Sequence, residues 1–318
     1  MPSTASNRSF RGALGALALS ASVAFGVEPA GSAQKTFPTA KAAADALVVA
    51  AERFDVEALK AILGPDGIDL VVTEDAVLDR NDAASFAAKA REKLAVVPDP
   101  KDPKSATIVA GSGDWPMPIP IVKDGKAWRF DTVAGREEVL LRRIGRNELD
   151  AIKVCRGYVE AQHEYASTKR DGARVNQYAQ KIVSSEGRQD GLAWRNADGT
   201  WGGPVGENIA RAIAEGYRDR YEPYHGYIFK VLKGQGPSAP LGEMDFVVQG
   251  AMIGGFALVA APADYEVTGI KTFIVSHDGV VWEKDLGPKT VEAFKAMERF
   301  DPDETWSPVF EEQAEENE

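Results

Sequence analysis

Between residues 42 and 63 the apolar side chains Leu47, Ala50, Ala51, Phe54, Leu59 and Ile62 recur three or four positions apart, which aligns them on one helix face. Asp55 interrupts the run where it can re-cap the chain, so two short helices are expected, stopped by Gly64-Pro65-Asp66-Gly67. A further helix is predicted over residues 80–94, with Asp79, Asn81 or Asp82 near its cap, and residues 98–103 read as an extended, proline-punctuated loop. Residues 107–110 have strand character. In the segment that follows, Pro116, Pro118 and Pro120 remove amide donors along one side only, which suits an edge strand or polyproline II segment. Asp124-Gly125 predicts a tight hairpin into residues 126–131, where Trp128 and Phe130 share a face.

A long helix is predicted from about residue 135 to 168. Ala151, Val154, Tyr158, Ala161 and Tyr165 form its buried stripe, with Cys155 and Gln162 beside it. Shorter helices are expected at residues 175–183 and 205–217, separated by a loop that includes Asn196-Ala197-Asp198-Gly199. From Tyr227 the period shifts to that of strands, with runs at residues 227–231, 244–248, 255–260 and 269–275 and an Asp278-Gly279 turn into residues 280–284. A short helix holding Val291, Phe294 and Met297 follows. The fold class is α+β: a small helix-plus-antiparallel-sheet module at residues 34–133, then a module at 134–310 in which a long helix packs on a four-stranded antiparallel sheet. The tail at 311–318 carries five acids in eight residues and is expected to be disordered.

The 318 residues suit about two domains. With 37 Lys plus Arg against 48 Asp plus Glu, the net charge of -11 and the lack of a basic stripe argue against a nucleic-acid partner. Residues 1–33 read as a signal peptide. Arg8 and Arg11 precede an apolar stretch at 13–26, and Gly31-Ser32-Ala33 presents small residues for cleavage, with Gln34 as first mature residue. That stretch falls short of the about 20 residues a spanning helix needs, and no later segment reaches that length, so no membrane span is expected after signal removal. The protein is therefore expected to be periplasmic or secreted.

The chemistry-bearing residues are few. A lone Cys155 cannot close an internal disulfide and reads as a small buried side chain. Three histidines without ligand spacing give no metal centre, and the loops at 169–172 and 196–199 offer too few carboxylates for calcium. His277 stands between Ser276 and Asp278, but neighbouring strand residues point to opposite faces, so these three form no relay among themselves, and His277 and Asp278 shape a hairpin turn. His225 sits among aromatics in Tyr224-His225-Gly226-Tyr227. No catalytic, cofactor or metal residue is expected; the candidate contact or recognition surface comprises Trp115, Tyr224, His225, Tyr227 and His277.

Several motifs occur in order: Asp114-Trp115-Pro116, Trp128-Arg129-Phe130-Asp131, Gly135-Arg136-Glu137-Glu138, Arg143-Ile144-Gly145-Arg146-Asn147-Glu148-Leu149, Tyr224-His225-Gly226-Tyr227, Met252-Ile253-Gly254-Gly255-Phe256 and His277-Asp278-Gly279. Together they resemble the bacterial family catalogued as domain of unknown function 2950, across nearly the whole mature chain. The resemblance implies an exported envelope protein and supplies no activity or catalytic residues. The second half is also similar to the soluble part of type IV pilins, a helix laid across a four-stranded antiparallel sheet. It departs from that pattern because Arg142, Arg143 and Arg146 precede the buried stripe where a pilin carries an apolar filament helix. The first module is similar to small helix-plus-curved-sheet domains of the nuclear-transport-factor type. The reading that follows is a non-enzymatic cell-envelope protein acting through protein contacts. Its alternatives are a small-ligand-binding module in a concave sheet of residues 38–133, and an envelope hydrolase.

Overall fold

Thr39 and Asp55 each turn a side-chain oxygen onto a free helix amide, that of Ala42 and Ala58 respectively, and so start α1 (Ala40–Glu52) and α2 (Val56–Leu63). The computed structural model describes residues 34–215, 217 and 222–310; the expected signal segment and the acidic tail lie outside the described residues. Gln34 lies inside them and donates its Nε2 to the carbonyls of Ile62 (3.0 Å) and Phe130 (2.8 Å). A 3-10 turn (Pro65–Leu70) follows α2. Next comes α3 (Ala76–Glu92), which starts earlier than the sequence predicts. Asp75 is its cap, accepting from Leu78 N, whereas Asp79 instead binds the amide and hydroxyl of Thr73.

The first sheet holds β1 (Leu94–Pro98), β2 (Ser105–Ala110), β3 (Trp115–Pro116), β4 (Ile121–Asp124) and β5 (Ala127–Phe130) in the order β1-β2-β4-β5, with β3 paired to β2. β1 was not foreseen; it runs the expected loop's first proline into a ladder with β2, leaving only the tip unpaired. The proline segment does sit beside β2, but ladders only at Trp115 and Pro116. The turn between β4 and β5 is the tight hairpin expected.

α4 (Thr132–Ala166) serves both halves of the molecule. In its first turns Val139 and Leu140 pack on the first core, and Arg136 pairs with Asp69. Gly135 makes this approach possible: a Cβ there would lie 2.5 Å from Ile119 Cα and 2.7 Å from the Pro118 carbonyl oxygen. Midway, Asn147 donates to the Thr268 carbonyl (2.9 Å), and Glu148 accepts from the amides of Ile270 and Lys271. Farther on, Ala151, Cys155, Tyr158, Ala161, Gln162 and Tyr165 are buried. Cys155 and Gln162 thus belong to the stripe, while Val154 is only half-buried. Burial pushes the Cys155 thiol up to about 12, leaving it protonated.

Beyond α4 run β6 (Trp194–Arg195), β7 (Trp201–Gly202), α5 (Gly206–Glu215) and β8 (Tyr227–Leu232). Residues 175–183 are not the helix expected. Gln162 accepts from the Ala179 amide and donates to the Ala179 carbonyl (2.8 Å each), so a buried side chain takes the bonds a helix would have made. Two small ladders follow, β9 (Gly234–Gln235) with β10 (Met244–Asp245), and β11 (Val247–Val248) with β12 (Ala251–Met252). The main sheet then adds β13 (Ala257–Pro262), β14 (Lys271–Ser276) and β15 (Val281–Asp285); α6 (Thr290–Ala296) precedes a last strand, β16 (Ser307–Pro308). The sheet order is β16-β15-β14-β13-β8, antiparallel throughout: four of the five expected strand runs form it with a short extra strand at the edge, whereas residues 244–248 are split between the two small ladders and do not join it. Every residue of β13 is buried, and both α4 and α6 pack against it, so this sheet is covered on both faces. The fold is α+β.

Candidate functional site

The spacing of α3 decides where the molecule stays open. Asp79, Asp82, Ala83, Phe86 and Lys89 recur every three or four residues and face α1, α2 and the head of α4. Only Phe86 among them is a large apolar residue, and the methyl group of Ala83 leaves unfilled volume. The result is a cavity of about 420 Å3, within the ~300–1,000 Å3 usual for small-molecule sites. Its floor is the buried Leu47, Leu59, Leu63, Leu70 and Ile119. At its mouth the Phe86 and Trp115 rings meet edge to face with centroids 6.4 Å apart, and the Arg142 guanidinium lies 5.6 Å from the Trp115 ring centre.

Four of the six charged lining residues are cations, Lys89, Arg142, Arg143 and Arg146, against Asp79 and Asp82. That local excess is opposite to the chain's net charge of -11. Three of the cations are engaged. Arg146 makes a two-pronged pair with Asp82 (3.0 and 2.8 Å), Arg142 binds Glu138 (2.7 Å) and the Pro116 carbonyl, and Arg143 donates to the carbonyls of Asp69 and Leu70. Lys89 has no carboxylate partner among the described residues.

Burial pushes the Asp79 carboxyl above its ordinary range, against the lowering effect of its Thr73 hydrogen bonds and of Arg143. A folded-state value above the unfolded one means the native state holds the proton more tightly. Asp79 therefore lowers stability as pH rises from the usual carboxylate range through its raised value. Asp79→Asn keeps an acceptor for Thr73 and carries no charge. It is expected to match or exceed the parent in melting temperature at pH 7 and to flatten the stability profile in that window, as thermal unfolding at several pH values would read. A variant markedly less stable at pH 7 contradicts this.

A second polar cluster joins the two cores. Asp75 is 2% exposed, and its second oxygen accepts from Tyr217 Oη and Gly226 N, both at 2.9 Å. Burial, then the neighbouring Asp75 charge, holds the Tyr217 hydroxyl protonated far above the ordinary tyrosine range. His225 stacks on Tyr224, with centroids 4.2 Å apart. Its Nδ1 lies 3.0 Å from Asp150, and its Nε2 lies 3.6 Å from Glu215. Both ring nitrogens thus face carboxylates. The φ of +77° at Gly226 brings its backbone against Asn147, whose amide nitrogen a Cβ would approach to 2.5 Å.

With this geometry in view, comparison with known families gives a match. Residues 34–309 fit the family described as "Protein of unknown function (DUF2950)". The chain belongs to that family. No curated protein and no solved structure matches it.

The structure distributes the sequence candidates over three places. Trp115 lies on the cavity wall. Tyr224 and His225 belong to the junction cluster. Tyr227 has to be removed from the contact surface: it is 0% exposed, its ring packs near Phe273, and its hydroxyl donates to the Lys271 carbonyl (2.8 Å). His277 is half-buried against Phe246 and Phe256, with Nδ1 buried and unpartnered, while Asp278 accepts from Ser276 Oγ and Val280 N to shape the turn. His163 also borders Phe256, at 5.4 Å, but His225 lies apart from both, with Asp150 and Glu215. Among the described residues no group of three or more potential ligands is arranged for a metal ion, and no helix is long and apolar enough to cross a membrane.

Sequence reasoning missed Phe86, Lys89 and Asp75. A signal for the first two existed in the alanine-rich composition of α3, whose stripe carries too little apolar volume to close a core. Asp75 carried none beyond its capping position.

Proposed function

We propose that this family member is an exported binding protein that takes a small, largely apolar ligand in the cavity between α3 and α4. The carrying observation is the open volume of about 420 Å3 lined at its base by the buried Leu47, Leu59, Leu63, Leu70 and Ile119. Interiors normally pack to near-crystalline density, and open apolar space forgoes dispersion contacts that a purely structural module would keep. What supports export is the basic, apolar and small-residue succession at residues 1–33. This site lies between helices beside the first sheet and not in a concave sheet face, so it supports the ligand-binding alternative in altered form. The test is titration with the uncharged fluorophore N-phenyl-1-naphthylamine. We expect saturable binding at one per chain and a raised melting temperature, since a ligand bound only by the native state stabilises it. Fluorescence that never saturates, with no thermal shift, would overturn the reading.

A second reading, contacts made by the second half in the manner of a pilin-like module, is favoured by the exposed apolar side chains Leu241, Val248 and Ile253 around β9 to β12. Crosslinking in intact cells would test it, and a chain recovered only as free monomer would count against it.

A further inference from the structure

We infer that the ligand is a single-tailed amphiphile with an anionic head, its tail in the cavity and its head at the Lys89 end; the inference rests on the cavity being a ligand site. The charges along the groove carry the argument. At one end, near the start of α3, Asp79 and Asp82 face Arg143 and Arg146, and the Asp82–Arg146 pair satisfies both partners. That end needs no further charge. At the other end Lys89 follows Phe86 by one helical turn on the same stripe, and Phe86 meets Trp115, over which Arg142 sits.

The mouth is thus two aromatic rings between two cations. Arg142 already has Glu138, whereas Lys89 has no carboxylate partner among the described residues. An ammonium beside an apolar opening, with no carboxylate pair among the described residues, suits a head group with one negative charge, and it disfavours a cationic head by like-charge repulsion. The buried lining residues Leu47, Leu59, Leu63, Leu70 and Ile119 are all apolar, which suits an alkyl tail. A carboxylate and a phosphate monoester share the required chemistry.

The experiment displaces bound N-phenyl-1-naphthylamine with three twelve-carbon amphiphiles below their micelle concentrations: dodecanoate, dodecyl phosphate and dodecyltrimethylammonium. We expect at least one of the two anions to displace the probe at a concentration tenfold or more below that of the cation. The preferred anion tells carboxylate from phosphate. Added salt should narrow the gap, because the head is at a solvent-exposed mouth. Lys89→Met should narrow it at least fivefold; Lys89 is exposed, so the variant keeps the fold. Equal displacement by cation and anions, or an anion preference untouched in Lys89→Met, would overturn the head-group assignment while leaving apolar binding intact. Failure of the probe itself to bind would instead remove the ligand site and this inference with it.

Discussion

Asp75→Ala is expected to lower the unfolding free energy by about 3–5 kcal/mol, the largest effect of any single polar substitution proposed for this chain. The carboxylate caps α3 through Leu78 N and receives hydrogen bonds from Tyr217 Oη and Gly226 N. Loss of a helix cap costs about 1 kcal/mol, and each bond to a charged acceptor is worth about 1.5–3 kcal/mol, with incomplete additivity. Alanine also strands the Gly226 amide and the Tyr217 hydroxyl in an interior where water does not replace the lost acceptor. Urea unfolding of Asp75→Ala and Asp75→Asn would measure it. Asparagine keeps one acceptor oxygen and should lose less than alanine. A loss below about 1 kcal/mol for alanine would mean that the junction does not depend on this group. Because Asp75 belongs to the first half and Tyr217 and Gly226 to the second, the same variant should also loosen the docking of α3, read as faster amide exchange around residues 73–79.

Ala83→Trp should weaken N-phenyl-1-naphthylamine binding at least tenfold without lowering the melting temperature of the unliganded protein. Ala83 lines the cavity from the middle of the α3 stripe, between Asp79 and Phe86. An indole there occupies the volume a ligand would use and buries apolar surface of its own. The open mouth gives the larger side chain room that a closed core would deny it, so the usual strain of overpacking is relieved. Fluorescence titration and thermal unfolding of the same variant separate the two expectations. Affinity within twofold of the parent would show that the probe binds elsewhere, and the cavity would lose its claim.

Periodicity carried the architecture far. The split of the first helical run at Asp55, the hairpin after Asp124, the long helix and four of the five strand runs expected from Tyr227 onward follow from the spacing of side chains in the chain itself. Local bonding explains why: caps, tight turns and alternating faces depend on residues a few positions apart. Where a distant partner intervened, the reading failed. Residues 175–183 have helical composition, yet the buried Gln162 takes the backbone bonds of Ala179 and an irregular segment results. Tyr227 has the composition of a recognition residue, yet its ring lies inside the main sheet's core.

The chain alone thus determined the α+β class, the order of its elements, family membership through its motif succession, and the scarcity of histidine and cysteine. Tertiary structure alone decided where the chemistry lies. The cavity exists because α3 presents Ala83 and Phe86 to α1, α2 and the head of α4, elements whose approach no local spacing specifies. The junction exists because residues 142 and 151 positions from Asp75 fold back to meet it. Burial and electrostatic pairing depend on which surfaces meet in three dimensions, and those contacts are long-range, so the side chains that matter most were the ones whose partners lay farthest away along the chain.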